Sequence, residues 1–213
     1  MLDQAGRQPK ERSDIELLLF DLGGVLIHWD GIEPLRSLTG GRLSHDQARK
    51  FWLDSPAVRR FEKGRSTAPE FARAVVAELG LALTTQEFLA RFASWDRGPF
   101  PGAVELLEQL RPVCRLACLS NNNEIHWPRL RDAFSFGRFF EHCYVSYEIH
   151  AAKPDLEAFE IVLGDLALPA QAILFFDDNP ECIAAARAAG LQAEVTPGIE
   201  GVRKILLQRG ILR

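Results

Sequence analysis

Ile15 to Phe20 is an apolar run interrupted only by Glu16, and it stops abruptly at Asp21-Leu22-Gly23-Gly24. A strand buried on both faces, as in a parallel sheet, is continuously apolar rather than alternating. Similar runs occupy Val113 to Leu119 and Ala172 to Phe176, with shorter candidates at Tyr144-Val145 and Gln192 to Val195. Helical patterns lie between them. Ala103 to Leu110 is apolar at 103, 104, 106, 107 and 110, and Pro154 to Leu163 opens on a proline suited to a first turn. Pro180 to Ala189 is Ala-rich and meets Gly190, a favourable C-terminal cap. Alternating strands and helices predict an α/β fold, a Rossmann-like parallel sheet covered on both faces.

Gly31 to about Ala93 breaks the alternation. It has no convincing strand but several helix starts: Ser44, Ser55-Pro56, and the capping-box spacings Thr67/Glu70 and Thr84/Glu87. Phe71, Val75, Val76 and Leu79 recur at helical spacing. The expectation is an α-helical cap over 31–95, inserted in a core built from 14–30 and 96–213. The polar stretch 1–13 is expected to be a disordered arm. A chain of 213 residues is long enough for one such core and a smaller insert.

Charge and composition exclude several classes. With 29 acidic against 25 basic side chains the net charge is −4, and no dense Lys/Arg block appears, so no nucleic-acid surface is expected. The apolar runs are too short to span a bilayer, and the start lacks the hydrophobic centre of a secretory signal. Cys114, Cys118, Cys143 and Cys182 form no CxxC pair and read as reduced thiols. A cytoplasmic protein follows, and no protein partner is inferred. His28, His45, His126, His142 and His150 show no metal-ligand spacing. Glu124 and His126 read as part of a solvated loop, and Phe51, Trp52, Phe71 and Trp95 as packing in or beneath the cap.

Ligands of open α/β sheets bind beyond the carboxyl ends of the strands. Polar clusters stand at such ends: Asp21, Ser120-Asn121 and Asp177-Asp178-Asn179, with Lys153 just before Pro154. Adjacent carboxylates repel unless a cation or a donor holds them. Together the clusters suit phosphoryl transfer. A carboxylate can form an aspartyl-phosphate, a hard cation such as Mg²⁺ prefers oxygen ligands, and Lys and Ser can orient and neutralise a phosphoryl group.

These segments, in this order, resemble the four motifs of the haloacid dehalogenase (HAD) superfamily: Phe20-Asp21-Leu22-Gly23-Gly24-Val25-Leu26, Leu119-Ser120-Asn121, Lys153-Pro154 and Phe176-Asp177-Asp178-Asn179. Phe61-Glu62-Lys63-Gly64 and Phe100-Pro101-Gly102 resemble the cap turn and core re-entry of the subfamily with a helical cap. The likeness is greatest to bacterial sugar-phosphate phosphatases of the glucose-1-phosphate type. The resemblance implies a Mg²⁺-dependent hydrolase of a small phosphorylated metabolite. Asp21 would be nucleophile and metal ligand, the Gly23 carbonyl and Asp178 further ligands, and Asp177 a ligand directly or through water. Leu22 and Gly23, with Ser120, Asn121 and the neighbouring backbone, would hold the phosphate. Lys153 would pair with Asp21 and the transferring group.

Gly23 departs from the pattern, because most phosphatases of the superfamily place there a second Asp that protonates the leaving oxygen and activates water. General acid–base catalysis is typically worth about 10²- to 10⁴-fold. Three explanations stand. The first is a substrate with a good leaving group, which the likeness to sugar-phosphate enzymes favours; the second is substitution by His28, Asp30 or a cap residue such as Glu62; the third is a protein slow or inactive as a phosphatase. Rival readings are a metal-independent haloacid dehalogenase, a phosphonate-cleaving enzyme using Lys50 or Lys63 as a Schiff base, and a catalytically weak phospholigand-binding protein.

Overall fold

The computed structural model describes residues 14–212, so the expected arm at 1–13 lies outside the described residues. Strands β1 (Leu17–Phe20) and β2 (Ile27–Trp29) come first. Helices α1 (Ile32–Leu38), α2 (His45–Asp54), α3 (Pro56–Glu62), α4 (Ala68–Leu79) and α5 (Thr85–Phe92) follow. After β3 (Asp96–Pro99) come α6 (Ala103–Leu110), β4 (Arg115–Ser120), α7 (Trp127–Asp132), β5 (His142–Val145), α8 (Ser146–Ile149) and α9 (Leu156–Leu166). The chain continues through β6 (Ile173–Asp177), α10 (Pro180–Ala188), β7 (Gln192–Val195) and α11 (Gly198–Gln208).

Five strands form one parallel sheet in the order β5-β4-β1-β6-β7. Strand β1 is central and its residues Leu17 to Phe20 are fully buried, which explains its unbroken apolar character. Leu18 and Phe20 face one layer, with Leu106 and Leu110 of α6, Leu130 of α7 and Leu206 of α11. Leu17 and Leu19 face the other, with Phe159 and Val162 of α9 and Ile183 of α10. Burying each such side chain is worth roughly 1.5–3 kcal/mol, so both layers depend on β1.

Helices α1 to α5 have a core of their own, built on Leu35, Val58, Phe61, Phe71, Phe88 and Phe92. The Phe61 and Phe71 rings stack with centroids 4.3 Å apart. Thr67 and Thr84 each close a capping box with Glu70 and Glu87, as their spacing predicts, and Ser44 does the same with Gln47. Each such cap contributes about 1 kcal/mol.

Two expectations are corrected. Pro154 does not open a helix: the Lys153–Pro154 peptide is cis, Asp155 occupies the N-cap position and α9 begins at Leu156. Strands β2 and β3, which pair antiparallel on either side of the five helices, escaped the sequence reading. They are short, and β3 reads Asp-Arg-Gly-Pro, which carries no apolar period. Of the central strands, β4 starts two residues later than expected and ends at Ser120, and β6 extends to Asp177.

Candidate active site

Phe20 lies in register with Cys118 of β4 and Phe176 of β6, so three neighbouring strands end at one rim. That register brings Asp21, Ser120 and Asp177 together, although they are distant in sequence. Lys153 reaches them from the loop between α8 and α9. Its Nζ lies 2.8 Å from Asp21 Oδ1 and donates to Asp177 Oδ2 at 2.5 Å. The Lys153 peptide is clamped by Asn121, whose Nδ2 donates to the Lys153 carbonyl at 2.9 Å while its Oδ1 accepts the Lys153 amide at 2.9 Å. The Asn121 side chain therefore fixes the lysine, and what it presents to the cavity beside Ser120 is largely backbone. Ser120 is buried and lines the cavity, and its hydroxyl has no hydrogen-bond partner among the described residues. Leu22 is wholly buried and brings no side chain to the cavity.

The second oxygen of Asp177 accepts the Asn179 amide at 2.8 Å, and Asn179 Oδ1 in turn caps α10 through Glu181 N at 3.0 Å. Asp178 projects from this turn toward Asp21, and carboxylate oxygens of Asp21, Asp177 and Asp178 lie within 4.8 Å of one another. Gly24 permits the approach. It has φ +76°, and a Cβ there would stand 2.5 Å from Asp178 Oδ2.

Burial pushes the Asp21 carboxyl up to about 7 against the opposing pull of Lys153, with Asp177 and Asp178 adding to the rise. Burial also raises Asp178, and the charge of Asp177 adds to it. For Lys153, burial disfavours the ammonium, but Asp177 and Asp21 outweigh it and its pKa is raised. Two cations, Lys153 and more weakly Arg49, thus act on three carboxylates, of which Asp21 and Asp177 are buried and Asp178 is exposed. Clustered oxygen donors with a charge surplus fit a hard divalent cation such as Mg²⁺.

Above the rim lies a cavity of about 350 Å³, closed on the far side by α2, α3 and the β2–α1 turn. Trp29, Ile32, Trp52 and Leu53 supply an apolar wall, and Glu62 a carboxylate. Trp29 and Trp52 meet edge to face at 5.6 Å, so Trp52 and Phe71 line the cavity as well as packing. His126, expected in a solvated loop, is buried and lines the cavity, with Nε2 2.8 Å from the Phe92 carbonyl. Glu124 accepts the Ala68 amide at 2.7 Å instead. Lys50 pairs with Asp54 and Lys63 with Asp155, and neither lines the cavity. His28 stacks on Phe100 outside it. Arg59 escaped the sequence reading; it bonds the Lys153 carbonyl at 3.2 Å and Asp155 at 2.8 Å. A helical arginine has no sequence mark that announces a partner so far along the chain.

The sequence profile of the haloacid dehalogenase-like hydrolase family matches residues 15–190. The chain is 34% identical over 198 residues to protein CbbY of Rhodobacter capsulatus, covering 86% of each chain. It is 28% identical over 187 residues to the phosphatase MT3486 of Mycobacterium tuberculosis, covering 84% of this chain and 86% of that one. Among solved structures it resembles a HAD family enzyme of Bacteroides thetaiotaomicron in complex with magnesium and inorganic phosphate. The TM-score is 0.69 at 30% identity, over 85% of this chain and 94% of that one. With a parallel sheet whose rim gathers the acidic residues and Lys153, and with this match along most of its length, the chain belongs to the haloacid dehalogenase-like hydrolases.

Proposed function

We propose that this hydrolase cleaves a small phosphate ester with Mg²⁺ and an aspartyl-phosphate intermediate, Asp21 being the nucleophile. The observation that carries the reading is the pairing of Asp21 with Lys153 at 2.8 Å beside Asp177 and Asp178. Asp21, Asp178 and the Gly23 carbonyl would hold the cation, with Asp177 reaching it directly or through water. A bound Mg²⁺ would polarise the phosphoryl oxygens and offset their charge. Lys153 neutralises Asp21 and the incoming phosphate together, which lets two anions meet at one rim. Ser120 and the backbone of residues 22, 23 and 121 donate to the phosphoryl oxygens. Asp21 attacks phosphorus in line with the departing oxygen, and water then releases phosphate from the acyl phosphate.

The helices over 31–95 act in this proposal as a cap that shields the intermediate from bulk water and selects the organic group. A sugar phosphate is the substrate that the sequence resemblance favours. The wall of Trp29, Ile32, Trp52 and Leu53 favours a second reading, an ester whose organic group offers an apolar face. A cytoplasmic location belongs to the same proposal. A panel of sugar, alkyl and aryl phosphates, assayed with Mg²⁺ and with chelator, tests the function. Metal-dependent phosphate release, abolished in Asp21→Asn, is the expected result. Halide release from haloacids in the presence of chelator would replace the proposal with the dehalogenase reading, and ligand binding without a phosphoenzyme would replace it with the non-enzymatic one.

A further inference from the structure

Gly23 leaves the reaction without an acid at the position two residues after the nucleophile. Outside the acidic trio, the cavity is lined by four carboxylates: Asp30, Glu62, Asp96 and Glu181. Three of these are engaged or misplaced. Asp30 is paired with Arg97 at 3.0 Å and accepts the Glu33 amide at 3.2 Å. Asp96 accepts the Gly98 amide at 2.7 Å and faces Arg129 at 3.6 Å. Glu181 is exposed in the first turn of α10. Glu62 is different. It is largely buried at the end of α3, opens on the cavity, and its carboxyl has no hydrogen bond or ion pair among the described residues.

The protein places this carboxylate with care. On either side of it, Arg59 and Lys63 reach across to Asp155, at 2.8 Å and 2.6 Å, two residues after Lys153. Arg59 also donates to the Lys153 carbonyl at 3.2 Å, and His150 Nδ1 lies 3.1 Å from the Lys63 carbonyl. Gly64, with φ +62°, lets the chain approach so closely that a Cβ there would meet the Tyr147 carbonyl at 2.3 Å. The helix end that carries Glu62 is thus fastened to the loop that carries Lys153. The charges acting on Glu62 are those of Arg59, on its own helix, and Lys153, and Arg49 of α2 also lines the cavity. Burial pushes the Glu62 carboxyl up to about 7, against the pull of Arg59 and then Lys153, so both protonation states are accessible near neutrality.

Resting on the hydrolase reading above, we infer that Glu62 is the catalytic acid and base that the chain lacks at Gly23. In the first half-reaction Asp21 bonds to phosphorus, the bond from phosphorus to the ester oxygen breaks, and the Glu62 carboxylic acid gives its proton to that oxygen. In the second, the Glu62 carboxylate takes a proton from water as the water oxygen bonds to phosphorus. The bond to Asp21 breaks, phosphate leaves, and Glu62 is protonated again.

The test compares the full-length protein with Glu62→Gln and Glu62→Asp, with Mg²⁺ present, on alkyl phosphates and on p-nitrophenyl phosphate. For Glu62→Gln, kcat on the alkyl esters should fall by about 10²- to 10⁴-fold. On p-nitrophenyl phosphate it should release a rapid burst of nitrophenol and then stall as phosphoenzyme, because departure needs no proton but water attack does. Glu62→Asp should restore part of the loss. If the unaltered protein turns over and Glu62→Gln matches it on alkyl esters, the inference is wrong and the hydrolase reading stands. An equal fall on both ester classes, with no burst and a raised KM, assigns Glu62 to substrate binding and also overturns it. If the unaltered protein forms no phosphoenzyme and releases no phosphate from any ester, the hydrolase reading itself falls.

Discussion

Lys153 Nζ stands 2.8 Å from Asp21 Oδ1, joining the first strand's exit loop to a loop from the far half of the chain. Both side chains are nearly sealed from water, at 3% and 11% exposure. Breaking a buried pair on one side leaves the other charge unpaired, at a cost of about 3–5 kcal/mol. Lys153→Met should therefore lower the urea midpoint of the metal-free protein at pH 8 and abolish turnover. The loss of stability should shrink toward pH 5 as Asp21 takes up a proton. An unchanged midpoint at pH 8 would show that the pair is not buried in solution.

Mg²⁺ should raise the melting temperature in a concentration-dependent way, because it binds the folded acidic cluster and not the unfolded chain. At a hundredfold excess over Kd the gain is about 2.7 kcal/mol. Asp178→Asn removes a cluster carboxylate without touching the Lys153 pairing, so it should fold normally and lose most of this shift. A full shift in Asp178→Asn, read by calorimetry, would remove Asp178 from the ligand set.

The metal-free protein should become less stable as the pH rises from about 5 to 8. Glu62 and Asp21 both stand near 7 in the fold, above the 4.5 and 3.8 of free Glu and Asp. The folded state therefore holds more protons than the unfolded one in this window, and stability falls with pH until both groups have ionised. Glu62→Gln should remove its share of the slope, leaving the variant more stable than the parent at pH 8 and little changed at pH 5. Denaturant melts with chelator present check this. A rising slope would contradict the buried environment of both carboxyls.

Asp155 receives Arg59 and Lys63 together, and burial, which would raise its pKa, is outweighed by Lys63 and Arg59, so the carboxyl sits below its usual range. The groups are partly exposed, so the pair is worth about 1 kcal/mol or less to global stability. Its larger effect should be local. Asp155→Ala should loosen α3 from the Lys153 loop, raise amide exchange in α3, and lower kcat/KM by roughly tenfold, about 1.4 kcal/mol. Unaltered exchange in α3 would show that the aromatic core of the five helices holds it without Asp155.

Much of the fold was legible because its signals are local. The fully apolar β1, the capping boxes at Thr67 and Thr84, and the limits of α6 each follow from contiguous residues whose pattern matches one period. Pro154 misled because proline also fits the loop before a helix, and only the observed backbone distinguishes the two. Strands β2 and β3 were invisible because each is held by its partner and not by its own composition.

Asp21, Ser120, Lys153, Asp177 and Asp178 could be picked out of the sequence because each is tied to the end of a recognisable element or to a motif of fixed order. The sequence also exposed the gap at Gly23. It left His28, Asp30 and Glu62 on equal footing as substitutes. Their separation depends on which groups meet each side chain: Phe100 beside His28, Arg97 on Asp30, and, among the described residues, no hydrogen-bond or ion-pair partner on the Glu62 carboxyl. Pattern and order determined which residues could do chemistry. Packing decided which remain unpaired within the cavity, because burial and pairing are set by segments that meet only when the chain has folded.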